Sequence, residues 1–149
     1  MESLVRRRLT NQSSGATFEA VELSLVSLLV ADYDEAIRFF VDAVGFELIE
    51  DSPSVAGDGT AKRWVVVSPG GEATNILLAQ ASNGAQHAAV GNQLGGRVGF
   101  FLRVDNFAAQ HERMMAAGVE FLEEPRHEAY GTVAVWRDIS GNLWDLLGN

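Results

Sequence analysis

The chain has no cysteine. That excludes a disulfide, a thiolate nucleophile and a Cys-ligated zinc, and it permits a reducing compartment without demanding one. Basic residues are scarce as well: 11 Lys and Arg stand against 20 Asp and Glu, for a formal charge of -9. Nucleic-acid binding needs clustered cations against the phosphate backbone, so that partner class is set aside and a neutral or cationic small ligand fits better. Long apolar runs are also lacking. The longest, Leu23 to Ala31, is broken by Ser24 and Ser27 and falls far short of the about 20 residues that cross a bilayer. Met1 to Ala20 carries Arg6, Arg7 and Arg8, then Thr10-Asn11-Gln12-Ser13-Ser14-Gly15, with no signal-peptide core; it reads as a mobile tail. A soluble, cytoplasmic protein without a membrane partner is expected.

What is present is a pattern written twice. Val30-Ala31-Asp32-Tyr33-Asp34-Glu35-Ala36 leads into Val44-Gly45-Phe46-Glu47-Leu48, and Val104-Asp105-Asn106-Phe107 leads into Ala117-Gly118-Val119-Glu120-Phe121. Such self-similarity marks one supersecondary unit used twice around a shared core. At 149 residues and 47% hydrophobic content the chain suits one compact domain. The spacing predicts a strand over Val21 to Val30, a helix capped by Asp32 or Asp34 and stopped by Gly45, and a strand over Phe46 to Glu50. Ser52 to Gly59 reads as loop, and Lys62 to Ser68 and Asn75 to Gln80 as strands around Pro69-Gly70-Gly71. The second pass predicts a strand over Val98 to Val104, a helix over Phe107 to Ala117, and a strand over Val119 to Glu123. A hairpin of Thr132 to Arg137 and Leu143 to Leu147 closes it across Asp138-Ile139-Ser140-Gly141-Asn142. The expected organisation is a tail over 1–20 and a single α+β domain over 21–149. Its two βαβββ modules, 21–81 and 97–148, are joined by a polar, Gly-rich linker over 82–96.

These residues, above all Asp138-Ile139-Ser140-Gly141-Asn142-Leu143-Trp144-Asp145, resemble the vicinal oxygen chelate superfamily, which holds glyoxalase I, bleomycin-resistance proteins and extradiol dioxygenases. The resemblance covers about residues 20 to 148 and implies paired mixed sheets that line a half-barrel cleft. In metal-dependent members one side chain from the first strand and one from the last strand of each module hold a divalent ion. The matching positions here are Leu25, Leu77 or Leu78, Gly99 (or Val98, if the second register moves by one) and Asp145. A divalent ion needs several N or O donors, and only Asp145 offers one, so no metal and no other cofactor is expected. His87, His111 and His127 lack metal-ligand spacing and read as solvated surface.

Alternate residues of a strand share a face, which groups Asp145 with Leu143 and Leu147, and Gly99 with Phe101 and Arg103. The matching set on the preceding strand is Val133, Val135 and Arg137, and overlaying the modules brings Trp64 to the place of Val133. The resemblance implies that this face lines the cleft, which makes Trp64, Phe101, Arg103, Tyr130, Val133, Val135, Arg137 and Asp145 the candidate ligand-binding residues, while parity assigns Trp136 and Trp144 to the core. The reading is a homodimeric protein that binds or sequesters a small organic molecule, with a cation compatible with the net charge. The alternatives are a metal-dependent lyase, isomerase or dioxygenase with a non-standard site, and a ligand-free interaction module. Open sheets with an apolar face and an edge to cover favour a closed two-fold dimer. Light scattering should return a mass near twice 16.1 kDa; a monomer overturns that expectation.

Overall fold

The computed structural model describes residues 8–10 and 17–149. The expected mobile tail falls largely on residues 1–7 and 11–16, which lie outside the described residues. Within it, β1 (Arg8–Thr10) pairs antiparallel with β2 (Thr17–Glu19).

Two four-stranded mixed sheets of identical topology make the body. The first module runs β3 (Leu25–Val30), α1 (Tyr33–Arg38), β4 (Glu47–Val55), β5 (Ala61–Ser68) and β6 (Asn75–Gln80). The second runs β7 (Val98–Val104), α3 (Phe107–Ala116), β8 (Arg126–Glu128), β9 (Gly131–Arg137) and β10 (Leu143–Gly148), after a linker helix α2 (Gly84–Ala89). Sheet order is β3-β6-β5-β4 in one and β7-β10-β9-β8 in the other, with the first and last strands of each module parallel and the rest antiparallel. The sequence repeat is thus a structural repeat.

Local chemistry explains the boundaries. Asp32, extended at φ -147°, accepts the Glu35 backbone N–H at 2.9 Å and starts α1. The helix continues as π turns over Phe39–Val44 and stops at Gly45, where φ of 95° is accessible to glycine at little steric cost. The N–H groups of Gly45 and Phe46 both reach the Phe40 carbonyl, at 3.0 and 2.8 Å. From the other module Gln110 donates to the Val44 carbonyl at 2.6 Å, and the Arg113 guanidinium occupies the space a Cβ at Gly45 would fill. A cation over the last carbonyls of a helix is favoured by its dipole.

Four expectations change. Leu25, not Val21, opens the first strand, and Val21 and Leu23 are exposed. β4 runs through the expected loop to Val55, because it pairs with β5 as far as Val55 opposite Ala61; only residues 56–60 turn. The predicted strand over Val119 to Glu123 is reduced to a bridge between Phe121 and Trp136, and the ladder resumes at β8 beyond Pro125, which has no N–H to donate. The linker contains α2, capped by Asn83, whose side chain accepts the Gln86 N–H at 2.8 Å. No residue of α2 is buried, so no apolar period announced it.

Linker residues also tie the modules together. Gln93 accepts the Leu29 N–H at 2.9 Å and donates to the Ser27 carbonyl at 2.8 Å, along the outer edge of β3. Leu94 fills the place of a side chain at Gly99. The core draws Leu28, Val65, Val67 and Leu78 from the first sheet, Met114 from α3, and Ala134 and Leu146 from the second sheet. Its aromatic joint lies between the π turns and the second sheet: Phe40 and Phe46 meet Trp144 at 5.8 and 6.2 Å, Phe39 meets Trp136 at 6.3 Å, and Trp136 stacks on Trp144 at 4.9 Å. Such aromatic pairs contribute about 0.5–1.5 kcal/mol each beyond area burial. As parity predicts, both tryptophans are buried, at 0% and 3% exposure.

The buried carboxylate of Asp138 fixes the β9–β10 turn. It accepts the N–H groups of Ser140, Gly141 and Asn142 at 2.9 to 3.0 Å, the Asn142 amide at 3.0 Å and the Trp144 indole N–H at 3.0 Å. Asp138→Asn replaces an acceptor by a donor among these donors. It should cost about 2–3 kcal/mol in urea unfolding, with an unchanged m-value.

Candidate functional site

Each sheet has one face on the core and one open face. On the second sheet the ladder sets Asp145 between Phe101 and Val135, Leu147 between Arg103 and Val133, and Leu143 opposite Arg137. Seven of the eight residues singled out in the sequence are thereby placed: six share this face with β10, and Tyr130 stands in the turn before β9. Phe101 and Tyr130 are 68% and 63% exposed, whereas Val133 is 2% exposed beside Arg126 and Leu147. Arg137 reaches Glu120 at 3.4 Å. Trp64 lies on the first sheet, half-buried, where it lines a cavity of about 200 Å3 with Leu29, Leu77 and Ala79. That cavity is formed by the first module and the linker, so Trp64 and Asp145 do not share it.

Asp145 is the unusual group on the second face. Its Oδ1 is shut from water and has no hydrogen-bond partner among the described residues. Burial raises its pKa above the ordinary 3.8, the nearby Arg126 guanidinium opposes that shift, and the Glu123 carboxylate adds to it. Glu123 and Arg126, not among the candidate site residues read from the sequence, form an ion pair at 2.9 Å that Glu128 extends, also at 2.9 Å. Strand register could have found Arg126, because it stands opposite Val133 in the ladder. Of the histidines expected at the solvated surface, His87 and His127 are exposed, with His127 Nδ1 3.1 Å from the Thr132 hydroxyl, whereas His111 is half-buried between the rings of Phe107 and Phe121.

A family model matches residues 22–146, the glyoxalase/bleomycin resistance protein/dioxygenase superfamily. The chain belongs to this superfamily. A protein of Shewanella frigidimarina is 50% identical over 123 residues, 82% of this chain and 89% of that one. The crystal structure of UcmS2 superposes with a TM-score of 0.71 at 32% identity, covering 86% of this chain and 98% of that one. TnmS3, an antibiotic binding protein from Streptomyces sp. CB03234, follows with 0.68 and 29%, covering 87% and 96%.

The superfamily includes metal-dependent members, so the donor set of this member decides whether an ion fits. Ser27 pairs with Leu77 as Phe101 pairs with Asp145, which makes Leu77 the counterpart of Asp145 and leaves Leu78 in the core. The four positions are then Leu25, Leu77, Gly99 and Asp145. Leu94 lies over Gly99, and no three His, Cys, Asp or Glu residues converge among the described residues. One carboxylate does not replace the hydration shell of a divalent ion, so this donor set does not fit one.

Burial of Asp145 has a stability consequence. The folded chain holds this proton to higher pH than the unfolded chain, so stability falls as pH rises from the unfolded value of 3.8 through the raised folded value. Asp145→Asn should therefore be more stable than the parent at about pH 7. In paired denaturation curves the difference should vanish near about pH 3; a variant less stable at neutral pH contradicts this.

Proposed function

We propose that the protein binds a small organic molecule on the open faces of its sheets and acts by holding it, without a metal. The observation that carries the reading is Asp145, an acceptor atom buried without a donor among the described residues, on a face to which Phe101, Val133, Val135, Leu143 and Leu147 give apolar surface and Arg103 and Arg137 add charge opposite Leu147 and Leu143. An unpaired buried acceptor costs about 1–3 kcal/mol, and a ligand N–H or ammonium placed against it relieves that cost. Mostly apolar surface with a few polar groups is the usual character of a small-molecule site.

Likeness to TnmS3, an antibiotic binding protein, supports the ligand class. Metal-dependent catalysis polarises substrate oxygens through an ion, and the residues at the four positions do not supply its ligands. The finer proposals are a cationic group at Asp145, Trp64 as a flat apolar contact, a two-fold homodimer as the assembly, and the cytoplasm as its place of work.

A thermal-shift screen of organic amines and antibiotics on the purified protein should yield a stabilising ligand. By titration calorimetry Asp145→Asn should weaken a cationic hit about tenfold, as expected for loss of a charge-assisted hydrogen bond, and Trp64→Ala should weaken any hit that stacks there. Elemental analysis should find less than one transition metal per chain. One tightly held ion per chain, or a ligand whose affinity neither variant changes, overturns the proposal.

A further inference from the structure

The cavity beside Trp64 has a lining unlike the chain as a whole. Acidic residues outnumber Lys and Arg by 20 to 11, yet the cavity is lined by two cations, Lys62 and Arg63, and by no Asp or Glu. The two cations differ. Arg63 is held by Asp34 at 2.9 Å and Asp51 at 2.7 Å and stands 5.1 Å from the Tyr33 ring, so its charge is already neutralised. Lys62 alternates with Arg63 along β5 and shares the face of Trp64. It makes no ion pair among the described residues.

Of the remaining polar residues, Ser82 is engaged with Gln86, Gln80 offers both a donor and an acceptor at the end of β6, and Tyr33 and Gln86 have donors to spare. Tyr33, 8% exposed, accepts the Arg63 backbone N–H at 3.3 Å, and its own hydroxyl proton meets no acceptor among the described residues. The Gln86 side-chain carbonyl is taken by the backbone N–H and hydroxyl of Ser82, at 2.8 and 3.0 Å, which leaves its NH2 group to donate. A buried hydroxyl proton, an unpaired ammonium and an amide NH2 together select an acceptor of negative charge. Trp64, with Leu29, Leu77 and Ala79, supplies the flat apolar wall for a ring.

We propose that this cavity is a subsite for a planar aromatic ring bearing a carboxylate, with the ring against Trp64 and the carboxylate at Lys62 and the Tyr33 hydroxyl. It rests on the small-molecule reading above, through Trp64, but takes the opposite charge from the one proposed at Asp145 on the other sheet. At about 200 Å3 the cavity is smaller than the roughly 300–1,000 Å3 of a drug-sized site, so it admits one ring system. The net charge of -9 does not decide against an anion, because charges farther than about 8 Å are largely screened at physiological salt.

Three probes with one ring system and different charge test this on the full chain by titration calorimetry: naphthoate, naphthyl carbinol and naphthylmethylammonium. Naphthoate should bind about fivefold or more tighter than the other two, and added salt should weaken naphthoate alone. Lys62→Gln, which keeps most of the apolar stem, should bring naphthoate to the level of the carbinol and leave the carbinol unchanged. Trp64→Ala should weaken all three. No binding of naphthoate, equal affinities, a preference for the ammonium, or naphthoate binding indifferent to Lys62→Gln each overturns the anion subsite. If the carbinol or ammonium still binds and Trp64→Ala removes it, the small-molecule reading survives that failure; an empty thermal-shift screen removes the wider reading instead.

Discussion

The carboxylate of Asp138 is the point on which the rest of the molecule depends. By gathering three turn N–H groups, the Asn142 amide and the Trp144 indole, it sets both the turn between β9 and β10 and the orientation of Trp144. Trp144 then stacks on Trp136 and Phe100 and receives Phe40 and Phe46 from the first module. One polar hub thus aligns the apolar joint between two repeats. The same hairpin carries Asp145, one residue beyond Trp144 and therefore on the opposite face, so the packing that fixes the tryptophan in the core also holds the carboxylate outward.

Duplication gives the two sheets equal topology and leaves their open faces free to differ. Position 77 of β6 and position 145 of β10 stand at the same place in the ladder, yet one is Leu and the other Asp. Position 64 is Trp where its counterpart, position 133, is Val. The charged neighbours differ in the same way: Glu123 and Arg126 act on Asp145, whereas Lys62, beside Trp64, makes no ion pair among the described residues. Divergence of this kind leaves the core untouched, because every changed position points away from it.

The elements that sequence could locate are those whose periodicity survives burial. β10 alternates half-buried and buried residues along its whole length, and Gly45 ends its helix through backbone conformation alone. Lost were the elements that tertiary pairing decides. Ser52, Pro53 and Ser54 have no strand propensity of note but stand in register with Trp64, Arg63 and Lys62. The π turns over Phe39–Val44 carry the same apolar spacing as an α-helix and differ only in which carbonyl each N–H reaches. At the candidate site, parity placed Asp145 and its strand neighbours on one face. It gave no sign of Glu123 and Arg126, whose approach to Asp145 comes from another strand and an irregular segment.

Gln93 has a consequence beyond joining linker to sheet. β3 is an edge strand, and an edge presents unpaired N–H and C=O groups on which any extended chain can form another strand. A primary amide carries one acceptor and donor hydrogens at the spacing of a peptide group, so the Gln93 side chain imitates the neighbour that the sheet lacks. It closes the ladder at Ser27 and Leu29 without adding a strand. The chain thereby guards its most apolar edge against templated self-association, using one side chain from the segment that also connects its two halves.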